Sequence, residues 1–274
     1  MLKLLKIEWL KLKNYSAFIV ISSFFALGVF ATNYIVYSFK KNVIDVADVT
    51  GILSSGSPFA FPKVWQTASY YSGWLLILPG MLLLILVTNE FTYRTNRQNI
   101  IDGLSRKQFT EVKLMMGFIT ALVSTLLVIL TALIFGICTG NHFATDGIEN
   151  VGYFFLKALT YNFIAIFMGV LIRRTGFAIA VFFIYTVLEN GISLALYAWA
   201  FNLKKDHHID MGNMGNYLPM NASDGLLYSP LDSFSRFSKN LLPSDYTQVV
   251  FSLAVFYLLL FFWLSKRRML RSDL

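Results

Sequence analysis

Six long apolar stretches, set apart by polar segments, form the pattern of this chain. They cover residues 17–39, 72–91, 114–139, 151–172, 176–202 and 246–265, each bound good to a few positions. A bilayer core of about 30 Å is crossed by about 20 mostly apolar residues in a helix, and every stretch reaches that length. The pattern predicts an all-α, polytopic membrane protein: one transmembrane domain over residues 1–274 with six transmembrane helices. Between the fourth and fifth stretches stand only Arg173, Arg174 and Thr175, so those two helices must form an antiparallel hairpin. The breaks at 40–71 and 203–245 read as external loops. The second, rich in Asn, Gly, Ser and Asp and broken by Pro219, Pro230 and Pro243, predicts an irregular lid. Pro79 and Gly80 inside the second span mark a kink, because proline withdraws a ladder amide. The kink serves either as a hinge or as a static bend.

Composition agrees. Hydrophobic residues make up 56% of the 274, charged residues 14%, and the mean hydropathy is +0.60. A soluble domain carries roughly 25% charged residues, so a soluble enzyme and a disordered chain are excluded. The single Cys138 excludes an internal disulfide framework.

The net charge of +8 resembles a nucleic-acid signal until its distribution is read. An even number of spans puts both termini on one side. Fifteen of the 23 Lys and Arg residues lie on that side: Lys3, Lys6, Lys11 and Lys13 before the first span; Arg94, Arg97, Arg106, Lys107 and Lys113 in the second connection; Arg173 and Arg174 in the hairpin; and Lys266, Arg267, Arg268 and Arg271 at the end. With Glu8, Glu90, Asp102, Glu111 and Asp273 there, that face carries +10, the opposite face −1 and Glu189 within a span −1. By the positive-inside rule both termini are cytoplasmic, and the basic charge orients the chain rather than binding nucleic acid. The segment before the first span places Leu2, Leu5, Trp9 and Leu12 on one helical face. It reads either as an interfacial helix on the inner leaflet or as a basic flank that orients the span.

The cytoplasmic connection from 92 to 113 is more specified than a tether requires. Thr95 and Gln98, then Ser105 and Gln108, repeat a capping-box spacing, and Gly103 stands where a helix could end in a left-handed residue. A short helix from about Asn96 to Asp102 is predicted, with a new helix opening at Arg106. Ile100 and Ile101 give the short helix an apolar face and Arg97 gives it a charge; Asn99 completes the turn. Such a helix suits docking into a cytoplasmic partner's groove, or it rests on anionic lipid.

The stretch from Asn89 to Leu114 resembles the segment after the second span in permease subunits of type-2 ATP-binding-cassette (ABC) exporters. Glu90, Thr95, Leu104-Ser105-Arg106 and Lys113 occupy the places of that family's acidic residue, helix-opening Thr, Leu-Ser-Arg-like step and span-opening Lys, with Arg94 where many members have Gly. The six-span layout, basic N-terminal lead and long loop before the last span extend the resemblance along the chain. It implies that Thr95–Asp102 is the coupling helix, contacting a cytoplasmic ATPase subunit. It also implies a dimer of permease subunits with two ATPase subunits, and often short helices capping the outer mouth in the loop before the last span. No G-x-x-x-x-G-K-[ST] loop occurs in the chain, so ATP and Mg would be bound by the ATPase partner and this chain binds no cofactor.

Ionisable groups inside spans are costly and mark functional candidates. Glu189 stands about 20 Å along the fifth span from Gly176 at about 1.5 Å per residue, and Lys157 about 9 Å in from the outer side of the fourth. The hairpin makes these spans neighbours, so Lys157 and Glu189 are expected to pair. With Asn190 and Asn162 they either line a substrate path or fix the hairpin's packing. Trp74, Tyr153, Tyr197, Trp199, Tyr246 and Trp263 read as interfacial anchors. Enzymatic chemistry finds little support: neither G-x-S-x-G nor H-E-x-x-H occurs, and His207, His208 and Asp210, or Cys138 with His142, form at most incomplete metal sets. Asn221-Ala-Ser223 matches a glycosylation acceptor, relevant only in a eukaryotic secretory pathway. Three readings follow: an exporter permease in the cytoplasmic membrane moving an amphipathic substrate such as an antimicrobial peptide, drug or lipid; a structural or sensory subunit that recruits a partner; and an intramembrane enzyme.

Overall fold

The computed structural model describes residues 2–39, 42, 58–101, 103–139, 143–230, 243–244 and 246–271. Its helices, in chain order, are α1 (Leu2–Leu12), α2 (Ser16–Phe39), α3 (Lys63–Gly73), α4 (Ile77–Thr92), α5 (Thr95–Ile101), α6 (Arg106–Cys138), α7 (Glu149–Ile172), α8 (Thr175–His207), α9 (Pro219–Asp224) and α10 (Thr247–Arg271). No strand occurs among the described residues. Six helical units are long and apolar enough to cross a membrane: α2, the composite of α3 and α4, α6, α7, α8 and α10. This is the architecture of a multi-pass membrane protein.

Helix α7 forms the centre, packed against α10, α4 and α6. Phe154, Ala158, Ile164, Ala165, Ile166 and Val170 on it are fully buried, and a helix apolar all round belongs in such a position. By contrast α2 buries only Phe25, Val29 and Asn33, and α8 only Ala178, Phe182, Glu189 and Ala200. Their exposed faces carry Phe24, Leu27, Ile184, Val187 and Leu188. Apolar outer faces of this extent suit a lipid solvent and not water.

The second span is longer than its hydropathy suggests. The helix begins at Lys63, so 63–71 is not loop, and the unit runs 30 residues to Thr92. Thr67 and Ser69 hide this extension from an apolar count, yet both, like Ser72 at the start of the expected span, are fully buried. Their size allows close helix approach, and two of the hydroxyls have bonds. Thr67 Oγ1 donates to Pro58 O at 2.6 Å, and Ser72 Oγ accepts from Asn33 Nδ2 at 3.1 Å. The expected break near Pro79 appears as a 3-10 turn over Trp74–Leu76, where the proline leaves the Leu75 carbonyl without its usual amide. Gly80 admits the Phe182 ring, since a Cβ there would stand 3.2 Å from Phe182 Cζ.

The hairpin between α7 and α8 is as tight as expected. Arg173 closes α7 in the left-handed region at φ 57°, with its amide on Gly169 O at 3.1 Å.

The largest difference lies in the segment after α8, which is no irregular lid over its described part. Helix α8 continues to His207, a 3-10 turn follows at Met214–Tyr217, and α9 packs against α10, α7 and α8. Met220, Asn221, Ala222 and Ser223 are all buried. Asn221 is therefore no accessible glycosylation acceptor; its amide and side chain are both bonded inward. The turn formed by Asp210 is separate. Its carboxylate takes Lys204 Nζ at 2.8 Å, the Gly212 amide at 3.0 Å and the Ser244 amide at 3.1 Å. Burial works against that charge, but Lys204 and the Ser244 and Gly212 donors hold the Asp210 carboxyl well below the usual range. Asp210 thus serves the turn, and among the described residues no group of three His, Cys, Asp or Glu could hold a metal.

Helices α6 and α7 meet over Gly117, where a Cβ would lie 2.9 Å from Ile166 Cδ1 and 3.3 Å from Phe163. Gly117→Leu is expected to destabilise the bundle by about 1–3 kcal/mol through overpacking, measured by thermal unfolding in detergent. Gly152→Leu, where a Cβ meets nothing, should leave the transition in place.

Candidate functional site

Two constellations of buried charge organise the molecule, one toward each end of the helices. The first surrounds α9. Lys157 and Glu189 do not form the ion pair expected between them; each engages one end of α9 instead. Lys157 Nζ lies 3.1 Å from Asp224 Oδ1 at the C-terminal end. Glu189 Oε1 accepts the Met220 amide at 2.5 Å, the Asn221 amide at 2.9 Å and Asn221 Nδ2 at 3.3 Å. The reason is the backbone of α9. A buried helix start leaves amides without partners, a carboxylate is favoured there, and a cation at the other end. Glu189 and Lys157 supply those charges in that order.

Further contacts fix the assembly. Tyr161 donates its hydroxyl to Asp224 Oδ2 at 3.0 Å, and Lys157 Nζ lies 5.6 Å from the Tyr161 ring centroid. Gly73 makes room for the ammonium: a Cβ there would stand 3.1 Å from Lys157 Nζ. Beside this pair is a cavity of about 450 Å³ lined by Tyr70, Trp74 and Ile77, Lys157 and Tyr161, Thr186 and Asn190, and the α9 region from Asn216 to Leu227. Of the four intramembrane polar residues singled out in the sequence, Lys157 and Asn190 reach the cavity. Glu189 stands behind α9. Asn162 belongs elsewhere, donating to Gly117 O at 2.9 Å and tying α7 to α6. Trp74, expected as an interfacial anchor, is a wall of this cavity.

The second constellation lies at the end carrying α1. Lys113 Nζ, 3% exposed, reaches Glu8 Oε2 at 2.6 Å and Glu90 Oε1 at 2.7 Å. Lys11 completes it, 3.0 Å from Glu8 and 3.5 Å from Glu90. Two carboxylates and two ammonium groups balance, so the set, buried but for Lys11 at 41% side-chain exposure, stands without net charge. One cluster thereby joins α1, the last turns of α4 and the first turns of α6. Asn89 adds to it, donating to Tyr15 at 2.8 Å and accepting from Thr175 at 3.0 Å.

Between the ends of α4 and α6 stands the short helix α5. Thr95 is its first residue, its hydroxyl donating to Glu90 O at 3.5 Å. Arg94 before it adopts the left-handed region at φ 56°. Glycine enters that region without strain, whereas Arg94 occupies it as a non-glycine residue. Gly103 has φ 96°, as expected of a helix terminator, and Leu104 N bonds Asn99 O at 3.0 Å. The second capping box is complete: the Gln108 amide donates to Ser105 Oγ at 3.2 Å and the Ser105 amide to Gln108 Oε1 at 3.0 Å. On α5 Asn96 is buried, Gln98 is exposed, and Ile101 is 84% exposed. Arg106 is exposed at the start of α6. Asp102 and the side chains of Arg97 and Ile100 lie outside the described residues.

Sequence reasoning singled out Glu90 and Lys113 and missed that they pair. It counted Glu8 only toward the charge of its face, although an acid alone in a basic amphipathic lead is itself a signal. Compared with known proteins, the chain matches no family profile and no curated sequence.

Burial works against the Glu8 charge, but Lys113 and then Lys11 outweigh it and hold the carboxyl below its ordinary value of 4.5. A carboxyl held low adds stability that is complete above the ordinary value and lost as pH falls through the folded value. Helix α1 is therefore expected to stay docked at neutral pH and to loosen only below about pH 4.5. Hydrogen exchange of the α1 amides against pH measures this. Glu8→Gln should lower the protection at neutral pH and flatten its acid dependence; a wild-type loss centred near neutrality would contradict the assignment.

Proposed function

We propose that this chain is the membrane-spanning permease subunit of an ATP-driven exporter of the type-2 ABC kind, seated in a cytoplasmic membrane. Both termini and α5 face the cytoplasm in this reading, following the fifteen basic residues on that side. Two copies, or this chain and a related one, form the path. Two ATPase subunits bind below, carrying the ATP and Mg that this chain does not. Lipids surround the assembly, and no nucleic acid takes part.

The observation that carries the reading is the way α5 is held. It is a short helix with an exposed apolar residue, fixed between two spans whose adjoining ends are locked by Lys113 and Glu90. A tether resting on lipid needs neither the buried charge nor the two turns at Arg94 and Gly103. A transmitting element needs both, because force on α5 then reaches α4, α6 and, through Glu8, α1 as one body. The short helix before the last span further agrees with the outer caps of the resembled family. Closure of the ATPases would tilt the two halves, and the substrate would move because it binds one arrangement more strongly than the other. A residue such as Pro79, beside the 3-10 turn at Trp74–Leu76, gives the second span a place to bend.

Docking is tested through Ile101, which makes no buried contact in the isolated chain. With a co-expressed ABC-type ATPase partner, Ile101→Asp is expected to reduce co-purification and substrate-stimulated ATP hydrolysis by about tenfold or more, with unfolding temperature unchanged. A variant complex of full yield and full coupled activity would sink α5 as the docking element. A protein that binds the ATPase but never moves or responds to substrate would favour a recruiting subunit.

A further inference from the structure

The cavity beside the Lys157–Asp224 pair has a chemistry that narrows what can enter it. We propose that it binds an amphipathic molecule through an uncharged headgroup made of hydroxyls or amides. Calling that molecule cargo rests on the exporter reading; binding itself does not.

The size of about 450 Å³ falls among small-molecule sites of roughly 300–1,000 Å³. One cation and one carboxylate line it, Lys157 and Asp224, and they lie 3.1 Å apart. Asp224 also holds the Tyr161 hydroxyl. The two charges therefore offset one another. A ligand bearing net charge would meet no free counter-charge and would carry its desolvation cost unpaid. The remaining polar lining is Thr186, Asn190, Asn216 and Asn221; the Asn190 and Asn221 amide nitrogens already donate to Thr186 O and Glu189 Oε1, which leaves their carboxamide oxygens to accept from a ligand. Carboxamide oxygens accept, and the Asn216 carboxamide can also donate, which matches hydroxyl and amide groups and gives nothing extra to an ion.

The rest of the wall is apolar. Tyr70 and Trp74 stand edge to face at 5.8 Å, Trp74 is 66% exposed, and Ile77 and Leu227 continue the surface. Polar groups on one side and rings on the other suit a headgroup with an apolar body attached. The arrangement is built rather than incidental. Gly73 leaves space for the ammonium, and α9, which carries Asn221 and Asp224, is bonded at both ends.

The test uses the purified chain in nanodiscs without ATPase, and a diazirine-bearing alkyl glucoside mapped by peptide mass spectrometry. Labelling is expected on the Tyr70–Ile77 and Thr186–Asn190 peptides. An alkyl maltoside and an alkyl glucamide should compete for it, whereas an alkyl sulfate and an alkyl trimethylammonium of equal chain length should need roughly tenfold more. Asn190→Asp places a charge at an exposed lining position and should reverse the order, favouring the trimethylammonium compound. Asn202→Asp, farther along α8 and off the cavity, should leave it as in the wild type. Labelling confined to other peptides, equal competition by charged and neutral compounds, or identical behaviour of the two variants would overturn the proposal. Intact labelling with no ATPase complex would sink the export reading and leave the site, and the reverse result would do the opposite.

Discussion

A charge inside a low-dielectric bundle must find its opposite or a set of donors, and that requirement shapes the end of this protein remote from α1. Lys157 and Glu189 each lie within a long apolar helix and are each about 5% exposed. Rather than neutralise one another, they draw in six residues of the following connection. The carboxylate takes the free amides at the start of α9 and the ammonium takes Asp224 at its end. Removing one member of a buried pair leaves an uncompensated charge, at a cost of about 3–5 kcal/mol. The pinned α9 in turn makes one side of the cavity, so the site's position and its lack of net charge follow from the same pairing.

The opposite end applies the same rule to another purpose. Lys113 lies against Glu8 and Glu90, and the three join helices that a membrane alone would not hold in register. The short α5 emerges from this rigid base with Ile101 exposed. One balanced cluster steadies the element read as receiving force, the other the element read as bounding the path, with the tightly packed α7 between them. Helices α2, α8 and α10 surround this spine with most of their residues unburied, and their exposed apolar faces suit lipid.

The architecture was legible because the bilayer demands it. Length and apolarity marked six helices, and the hairpin at Arg173-Arg174 and the stop at Gly103 follow from local backbone rules. What escaped were features in which polar residues act as packing residues. Thr67 and Ser69 read as loop because hydropathy counts their hydroxyls and ignores their size. The segment around Met220 read as lid because Asn, Ser and Asp are loop formers wherever no buried partner awaits them. The partner of Lys157 could not be chosen from sequence: Glu189 was near by helix geometry, while Asp224 comes close only through a chain reversal. The expected pairing was therefore wrong, and the true partner of Lys157 lay outside the candidate residues. Asn162 entered that set for its polarity and proved to be a helix tie.

The account stands on α9 being held inside the bundle by Lys157 and Asp224. A double-mutant cycle tests this most directly, with Lys157→Met, Asp224→Asn and their combination compared by unfolding free energy in one detergent. Asn at 224 can still meet the Tyr161 hydroxyl, so the cycle isolates the charge. The two single changes are expected to cost more together than the double variant does, with a coupling of about 1–3 kcal/mol. Additivity within about 0.5 kcal/mol would mean that the two groups do not depend on one another, and would contradict the placement of α9.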